Sequence, residues 1–340
     1  GGGGKGMRMV EEPKRLRTEY DAASREAAAA FGDGTVYVER LLRRARHIEI
    51  QVFADRHGNV IHLNERDCSL QRRHQKVIEE APSPAVNPRL RSLMGEAAVQ
   101  AARAVDYEGA GTVEFLLSDK GEFYFLEMNT RLQVEHPVTE LITGLDLVHM
   151  QLSVAAGLPL PMKQAEVGIS GHAMEARLYA EDPSKGFLPS IGPIARFDTP
   201  DGPGIRVDTG VRTGDEVTTA FDPMLAKVIV HAPDRASAIR RLDQALSQII
   251  LHGVRSNIGF CREMLVSDTF SGPGVTTDHL DDMDPPSRPE EPIRGILSVI
   301  ASAAERLGLH RAAVTTGPSI VDQHTGHPGD PFRTLSRNFP

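Results

Sequence analysis

A predicted hairpin near the middle of the chain carries more charged and amide side chains than a soluble core accepts. Runs 111–117 and 122–128 are rich in β-branched, aliphatic and aromatic residues, and they flank a Ser-Asp-Lys-Gly loop. This pattern predicts an antiparallel hairpin. A four-residue loop of this kind pairs Glu114 with Phe125, which places Glu127 diagonal to Glu114 on one side of the sheet.

The two carboxylates of this hairpin, Glu114 and Glu127, repel each other unless a cation lies between them. Mg²⁺ favours one or two protein carboxylates together with phosphate oxygens of a substrate, so the pair predicts a magnesium site for a charged ligand. A one-residue change of register would separate the two acids and weaken this prediction.

Counting every second residue extends the same face beyond the hairpin to Asn129, Arg131, Gln133 and Glu135. The Arg131 guanidinium is a planar fork suited to a carboxylate-shaped or carbonate-shaped anion. Gln133 offers a neutral hydrogen-bond partner, and Glu135 offers a proton acceptor. The alternative is a solvated strand face with incidental ion pairs.

Composition and charge exclude several classes of protein. The chain has 340 residues, of which 40% are hydrophobic and 25% charged, as in an ordinary globular protein with room for two domains. Its formal charge of −8 and its scattered arginines argue against a nucleic-acid partner. No apolar run approaches the ~20 residues of a membrane span, and no basic stretch leads into an apolar one. We therefore predict a cytoplasmic location and no membrane partner.

The two cysteines, Cys68 and Cys261, are far apart in the sequence and lack a paired spacing. Neither a disulfide framework nor a structural zinc site is indicated. The local sequence of Cys68 identifies no base that would activate it as a nucleophile.

The chain begins with a glycine-rich segment, residues 1–7, without an initiator methionine. We expect the sequence to be part of a longer protein. The four leading glycines are either a phosphate-binding loop or a flexible linker. The Walker and Rossmann glycine patterns are absent from the sequence, so neither of those nucleotide-binding folds is supported.

Hydrophobic periodicity predicts the first elements of the chain. It indicates a helix over 19–31, a short strand over 36–39, and a half-buried strand over 46–54 that turns back into a strand over 60–63. The segment 65–80 is dense in Arg, His, Gln and Lys. It is either a polyphosphate-binding cluster opposite the acidic hairpin or an exposed basic loop.

The second half of the chain mixes helices with short strands. Asn87, followed by proline, predicts the start of a helix, and a further helix spans 140–158. Residues 159–167 look like a passage between domains. The unit over 170–270 begins with strands and continues into a helix capped by Asp234. This is an α+β pattern, because strands do not alternate regularly with helices.

Six strings, in this order, resemble the biotin carboxylases, members of the ATP-grasp superfamily found in acetyl-CoA, propionyl-CoA and pyruvate carboxylases. They cover about residues 1–270: Gly-Gly-Gly-Gly-Lys-Gly-Met at 1–7, Arg-His-Ile-Glu-Ile-Gln at 46–51, Glu-Arg-Asp-Cys-Ser-Leu-Gln-Arg-Arg-His-Gln-Lys at 65–76, Glu-Met-Asn-Thr-Arg-Leu-Gln-Val-Glu-His at 127–136, His-Ala-Met-Glu-Ala-Arg at 172–177 and Phe-Asp-Pro-Met-Leu-Ala-Lys at 221–227.

The resemblance implies an α+β fold in two parts. Residues 1–162 correspond to the C-terminal portion of an ATP-grasp domain, an antiparallel sheet with helices, and residues 168–272 to the biotin carboxylase C-terminal domain. Residues 273–340 are predicted to be a linker and the start of a further region, with a helix over 293–307. The family's N-terminal domain would precede residue 1, so the chain is expected to be N-terminally truncated.

The resemblance also assigns site residues. It places the loop over the ATP phosphates at Gly2, Gly3 and Gly4, the adenine pocket at Glu39 and Leu42, and contacts to ribose and phosphates at His47, Gln71 and His74. It assigns magnesium to Glu114 and Glu127, with Asn129 beside them. Bicarbonate is assigned to Lys76, Arg131, Gln133 and the backbone at Val134. Glu135 is the implied base, and Arg177 the group that stabilises the biotin enolate.

The implied reaction is a two-step, ATP-dependent carboxylation of biotin by bicarbonate through carboxyphosphate. Its cofactors are ATP, Mg²⁺ or Mn²⁺, and biotin on a separate carrier domain, since no Ala-Met-Lys-Met attachment motif is present in the sequence. The implied partners are bicarbonate, the biotin carboxyl carrier domain, a carboxyltransferase component, and a second copy in a homodimer of the intact protein. The chain alone is expected to be inactive or nearly so.

Two alternatives remain open. A ligase of the ATP-grasp type, similar to carbamoyl-phosphate synthase, would need an ammonia route, which nothing in the sequence suggests. A non-catalytic scaffold that keeps the fold for subunit contacts would not need the acidic and basic residues of the predicted site.

Overall fold

The computed structural model describes residues 6–272 and 275–280. These residues belong to one compact unit of the chain. The predicted helix over 293–307, the predicted third region apart from residues 275–280, and the glycines at 2–4 lie outside the described residues.

The described residues form seven α-helices: α1 Leu16–Phe31, α2 Pro88–Arg103, α3 His136–Thr143, α4 Leu147–Ala155, α5 Arg235–Ser247, α6 Ile258–Val266 and α7 Asp268–Ser271. None of the helices in this part of the chain is both long enough and apolar enough to span a bilayer.

The longer strands are β1 Arg46–Ala54, β2 Val60–Arg72, β3 Gln75–Ala81, β4 Gly109–Leu117, β5 Phe123–Asn129, β6 His172–Tyr179, β11 Ile205–Thr209 and β13 Met224–Ala232. Short strands of two or three residues complete the set: β7 Glu181–Asp182, β8 Leu188–Pro189, β9 Gly192–Pro193, β10 Arg196–Asp198, β12 Glu216–Val217 and β14 Ile250–His252.

The eight longer strands form one sheet in the order β11-β13-β6-β3-β2-β1-β4-β5. Every neighbouring pair in this sheet is antiparallel. Together with the helices, this sheet confirms the predicted α+β fold. Strands before and after residues 159–167, the predicted connection between domains, belong to this one sheet, because β3 pairs with β6. The division at 162–168 therefore does not interrupt the sheet, and the domain limits stay a prediction.

Strand β1 shows how the sheet acquires two buried faces. Its apolar residues Ile48, Ile50 and Val52 pack against α2 in a hydrophobic cluster. The alternate residues are polar and are also buried: His47, Glu49 and Gln51. The polar face of β1, predicted to be half-buried, is therefore covered, and it forms the floor of the candidate site.

On the side away from the candidate site, strands β3, β6 and β13 pack against α5 and α6. Their inward residues form the largest hydrophobic cluster of the described residues. Two caps predicted from the sequence are confirmed: the Asn87 side chain accepts a hydrogen bond from the Leu90 N–H, and Asp234 accepts one from Ser237. These caps fix where α2 and α5 begin.

Two local predictions are wrong, and one of the two alternatives for residues 65–80 is excluded. No strand forms over 36–39. The single helix predicted over 140–158 is two helices, because Gly144 adopts a left-handed conformation with φ of 73° and ends α3. The basic segment 65–80 is not a loop: it forms most of β2 and β3, with a tight turn at Arg73 and His74 between them.

Candidate functional site

The register of the β4–β5 hairpin places its two acidic residues directly opposite each other. Glu114 is the partner of Glu127, whereas Phe115 is the partner of Phe125. The predicted pairing of Glu114 with Phe125 is therefore wrong by two residues: one from the register at the loop end of the hairpin and one from a bulge. The register shifts between Glu114 and Phe115, so that β5 contributes one extra residue at this bulge. The bulge makes the two acids direct ladder partners and not the diagonal neighbours that were predicted.

Asn129 connects the two acids at the end of β5. Its Nδ2 donates to Glu114 Oε1 at 3.0 Å and to Glu127 Oε1 at 3.3 Å. Among the described residues, Glu127 has no basic side chain at salt-bridge distance and is exposed. Two opposed carboxylates, one of them open to solvent, fit the acidic ligands that Mg²⁺ takes when it also binds phosphate oxygens, whereas the Asn129 oxygen faces Arg131.

The extended face predicted beyond Asn129 is not a strand. β5 ends at Asn129, and the chain bends before α3 begins at His136. Arg131 is exposed at this bend, and its Nη2 donates to Asn129 Oδ1 at 3.2 Å. Gln133 and Glu135 turn inward and are buried. The prediction that these residues continue the strand is therefore wrong. Even so, Arg131, Gln133 and Glu135 all contact residues of the same site.

Lys76 lies at the centre of the buried cluster. Its Nζ is 2.6 Å from Glu49 Oε2, 3.1 Å from Glu114 Oε1 and 2.5 Å from Glu135 Oε1. One ammonium therefore links the predicted metal ligand Glu114 to the predicted base Glu135. It also neutralises part of an otherwise strongly negative interior.

Arg66 is a second buried cation, which the sequence analysis did not select. It is 0% exposed, and its Nε lies 2.5 Å from Glu49 Oε1. Its remaining donors reach the side chains of Gln51, Thr112, Thr139 and Gln133. The signal that could have found it is the run of polar residues alternating with apolar ones on β1, because a covered polar face needs a buried partner.

Gln133 is held in one orientation by the groups on either side of it. Its Oε1 accepts from Arg66 Nη2 at 2.7 Å, and its Nε2 donates to Glu114 Oε1 at 2.8 Å. Arg66 thereby fixes which end of the amide faces Glu114.

Glu135 ends the loop before α3 and is 1% exposed. Its second oxygen, Oε2, accepts from Arg177 Nη2 at 2.8 Å. Arg177 lies on β6, and its Nε donates to Glu79 on the neighbouring strand β3. The predicted base therefore lies between two cations, Lys76 and Arg177.

The other predicted residues lie at different distances from this cluster. His47 is buried on β1, with its Nε2 2.9 Å from Glu114 Oε2. Gln71 is buried on β2 as the ladder partner of Lys76, and His74 is exposed at the β2–β3 turn. The Val134 carbonyl accepts a hydrogen bond from Lys227 Nζ.

Glu39 and Leu42 lie in a segment without helix or strand, the first exposed and the second half-buried. Arg40 in this segment donates to the Tyr124 hydroxyl of β5 at 3.2 Å. The described contacts thus connect the predicted adenine-binding segment to the outer strand of the sheet, and not to the buried cluster.

The charges of the cluster shift the pKa values of its acids. Burial alone would raise the pKa of Glu49 and Glu114, but Lys76 and Arg66 at Glu49, and His47 and Lys76 at Glu114, lower each pKa to about 2. Burial opposes a charged Lys76 as well, yet Glu49 and the neighbouring acids raise its pKa well above the ordinary value.

These pKa values predict a loss of stability in acid. A carboxyl whose pKa is lowered by folding stabilises the folded state above its ordinary pKa, and this contribution disappears as the pH falls towards the folded value. For Glu49 and Glu114 the interval runs from 4.5 down to about 2. Urea unfolding measured across this interval should show a falling free energy of unfolding. The Glu49→Gln variant should show a shallower decline, and parallel curves would contradict the assignment.

Two family models match successive parts of the chain. Residues 1–163 match the ATP binding domain of the carbamoyl-phosphate synthase L chain, and residues 175–282 match the biotin carboxylase C-terminal domain. The second match favours the biotin carboxylase prediction over the ligase of the carbamoyl-phosphate synthase type.

Known proteins similar to the chain are carboxylase subunits and domains. The alpha subunit of mouse mitochondrial methylcrotonoyl-CoA carboxylase is 51% identical over 82% of this chain and 39% of that protein. A Campylobacter jejuni biotin carboxylase structure is 44% identical, with a TM-score of 0.81 over 83% of this chain and 63% of that one. The biotin carboxylase domain dimer of Hydrogenobacter thermophilus 2-oxoglutarate carboxylase is also 44% identical, with a TM-score of 0.81 over 83% of this chain and 62% of that one.

The ordered sheet and the two successive matches define an ATP-grasp domain followed by a biotin carboxylase C-terminal domain. The chain belongs to the biotin carboxylase family, which confirms the predicted resemblance. It spans about two fifths of the length of the mouse subunit that it matches. The predicted cytoplasmic location is wrong, because that subunit is a mitochondrial protein.

Proposed function

We propose that this chain carries the bicarbonate-activating site of a biotin-dependent carboxylase. The parent enzyme would be a ligase that uses ATP and bicarbonate to carboxylate biotin on a carrier domain, as the biotin carboxylase component of an acyl-CoA carboxylase. The observation that supports this proposal is the position of Lys76, whose Nζ contacts Glu114 at 3.1 Å and Glu135 at 2.5 Å. A metal-bound phosphate at Glu114 and an anion at Glu135 would thus share one cation.

Each side chain of the site has a role in this proposal. Glu135 takes the proton of bicarbonate, and Lys76 with Arg131 holds the resulting anion by charge. Gln133, fixed by Arg66, offers its amide beside Glu114. Arg177 stabilises negative charge that develops on the carboxyl acceptor. Such a site accelerates reaction mainly by orientation and charge neutralisation.

The magnesium ion would be held by Glu114 and Glu127, with Asn129 between them. When bound, it neutralises phosphate charge and orients the nucleotide for attack. His47 on β1 lies beside Glu114, with 2.9 Å between Nε2 and Oε2. The exposed side of Glu127 leaves room for phosphate oxygens, because only Asn129 contacts it among the described polar side chains.

The partners of the parent protein follow from the relatives. The Hydrogenobacter domain is a dimer in complex with MgADP, ADP and bicarbonate. We infer the same ligands and a homodimer for the complete protein that contains this chain. A biotin carboxyl carrier domain and a carboxyltransferase component would complete the reaction, as the resemblance to the biotin carboxylases implies.

Calorimetric titration of the chain with ATP tests the nucleotide site. We expect binding that depends on Mg²⁺, and a weakening of at least about tenfold in the Glu127→Gln variant, because one of two carboxylate ligands becomes a neutral amide. The matched control is Glu122→Gln, an exposed acid in the same hairpin. Binding that ignores Mg²⁺, or equal affinity in all three proteins, would support the non-catalytic scaffold instead.

A further inference from the structure

Two glutamates that the proposed reaction does not use face each other next to Arg177. Glu79 on β3 is the ladder partner of Glu175 on β6, so both side chains lie on the same side of the sheet. Both residues are 0% exposed. Helix α3 packs against β3 and β6 on this side, since its Val138 and Ile142 share a hydrophobic cluster with Ala81 and Ala173.

Three of the four carboxyl oxygens of this pair have no hydrogen-bond partner among the described residues. Glu79 Oε1 accepts from Arg177 Nε, but Glu79 Oε2 and both oxygens of Glu175 are buried with no hydrogen bond from the described residues. A buried ionised carboxylate without a donor is far more costly than a protonated one. Two ionised acids directly opposite each other in a ladder also repel.

The charged and titratable groups around the pair come from every element packed against it. They are Arg177 and Tyr179 on β6, Lys227 on β13, Lys76 on β3, Cys68 on β2, Cys261 on α6, and Glu135 before α3. Arg177 and Lys227 favour one negative charge. Glu135 disfavours a second negative charge on the pair. The balance favours one charge on the pair, and not two.

The pKa values agree in direction with this geometry. Burial raises the pKa of Glu175 well above its ordinary value, and the neighbouring Glu79 raises it further. Burial also raises the pKa of Glu79, against the opposing effect of Arg177. Glu175 has no direct cation partner, so it is the group that stays protonated.

We propose that Glu79 and Glu175 hold one proton between them and together position Arg177 against Glu135. Glu175 is the neutral acid, and Glu79 keeps the charge that binds Arg177 Nε. With Nε fixed in this way, Nη2 is left to donate to Glu135 at 2.8 Å. The shared proton is a property of the fold, whereas its use in positioning Arg177 rests on the function proposed above.

Infrared spectroscopy of the chain at neutral pH tests the shared proton. The carbonyl stretch of a protonated carboxylic acid is separate from that of a carboxylate, so the difference between the wild type and Glu175→Gln should contain one protonated-acid band. The matched control is Glu80→Gln. Glu80 follows Glu79, is buried, and is bonded to His172 and Arg235, which lower its pKa against the effect of burial. Its difference spectrum should contain no such band. A band absent from the Glu175→Gln difference overturns the proposal.

The dependence of stability on pH gives an independent check with a sign opposite to that of Glu49. A glutamate whose pKa is raised by folding stabilises the folded state only at low pH, and this contribution is lost as the pH rises above the ordinary value of 4.5. The free energy of unfolding of Glu175→Gln, measured relative to that of the wild type, should therefore increase as the pH rises. A constant difference between the two proteins contradicts the shared proton.

The positioning role is tested separately by kinetics of Glu79→Gln in a full-length alpha subunit in which this chain replaces the matching segment. We expect kcat to fall by up to about 10²-fold, because a misplaced Arg177 no longer meets the reacting groups. The KM for MgATP should stay unchanged, since Glu79 touches none of the predicted magnesium ligands. Equal changes in kcat and in the KM for MgATP, or no change in either, overturn the positioning role. If the wild-type subunit shows no turnover while the infrared band is present, the proposed function fails and the shared proton stands.

Discussion

Replacing Arg66 by leucine is expected to lower the free energy of unfolding by about 3–5 kcal/mol, because it leaves a buried negative charge without one of its partners. Glu49 would keep only Lys76, and the oxygens of Gln51 and Gln133 would lose their donors. An unmet buried acceptor adds its own desolvation cost. Equilibrium urea unfolding measures the loss.

The control for this prediction is Arg17→Leu. Arg17 forms a solvent-exposed pair with Asp21 one turn along α1, and such pairs contribute about 0–1 kcal/mol. A double variant, Arg66→Leu with Glu49→Leu, should lose less stability than the sum of the two single variants, because the unpaired charge disappears along with its partner. Comparable losses for Arg66→Leu and Arg17→Leu would show that the buried arginine is not structurally important.

The second large effect is expected at Glu135. Its change to glutamine should lower bicarbonate-dependent ATP turnover by about 10²–10⁴-fold, the range that a positioned general base supplies. Glutamine keeps the shape of the side chain and an oxygen for Lys76 or Arg177, so folding should be little affected. The loss should therefore appear in kcat and not in the binding of MgATP.

This second prediction is measured with the chain in place of the matching segment of a full-length alpha subunit. ATP hydrolysis is compared with and without bicarbonate, and Glu122→Gln serves as the unchanged control because Glu122 is exposed in the hairpin loop. Bicarbonate-stimulated turnover that survives in Glu135→Gln would assign proton removal to another group.

The sequence was sufficient for the parts of the fold that depend on local chemistry. The caps at Asn87 and Asp234, the helix over 19–31 and strand β1 follow from capping residues and periodicity, and the structure has them. The family followed from six ordered strings. Glu114 and Glu127 were expected to share one face, and they do.

What the sequence could not provide depends on contacts between distant segments. The bulge that aligns Glu114 with Glu127 carries no glycine or other local signal. The inward turn of Gln133 and Glu135 depends on Arg66 and Lys76, which lie on strands far away in the chain. Hydrophobic periodicity alone predicts that a charged strand face is exposed to solvent.

Glu79 and Glu175 illustrate the same limit. The residues next to each glutamate in the sequence give no sign that the two acids meet. Only the pairing of β3 with β6 places them together. That pairing joins two strands that are separated in the chain by all the elements from α2 to α4. No local rule predicts which strands of an antiparallel sheet become neighbours when the connection is this long.

The ladder between β3 and β6 also limits how the protein can be divided. A cut in the 163–168 segment would turn two interior strands into open edges, with rows of backbone amides and carbonyls available to other chains. Each half produced separately would tend to aggregate. A stable expression boundary therefore belongs outside 46–232, the span from the first strand of the large sheet to its last.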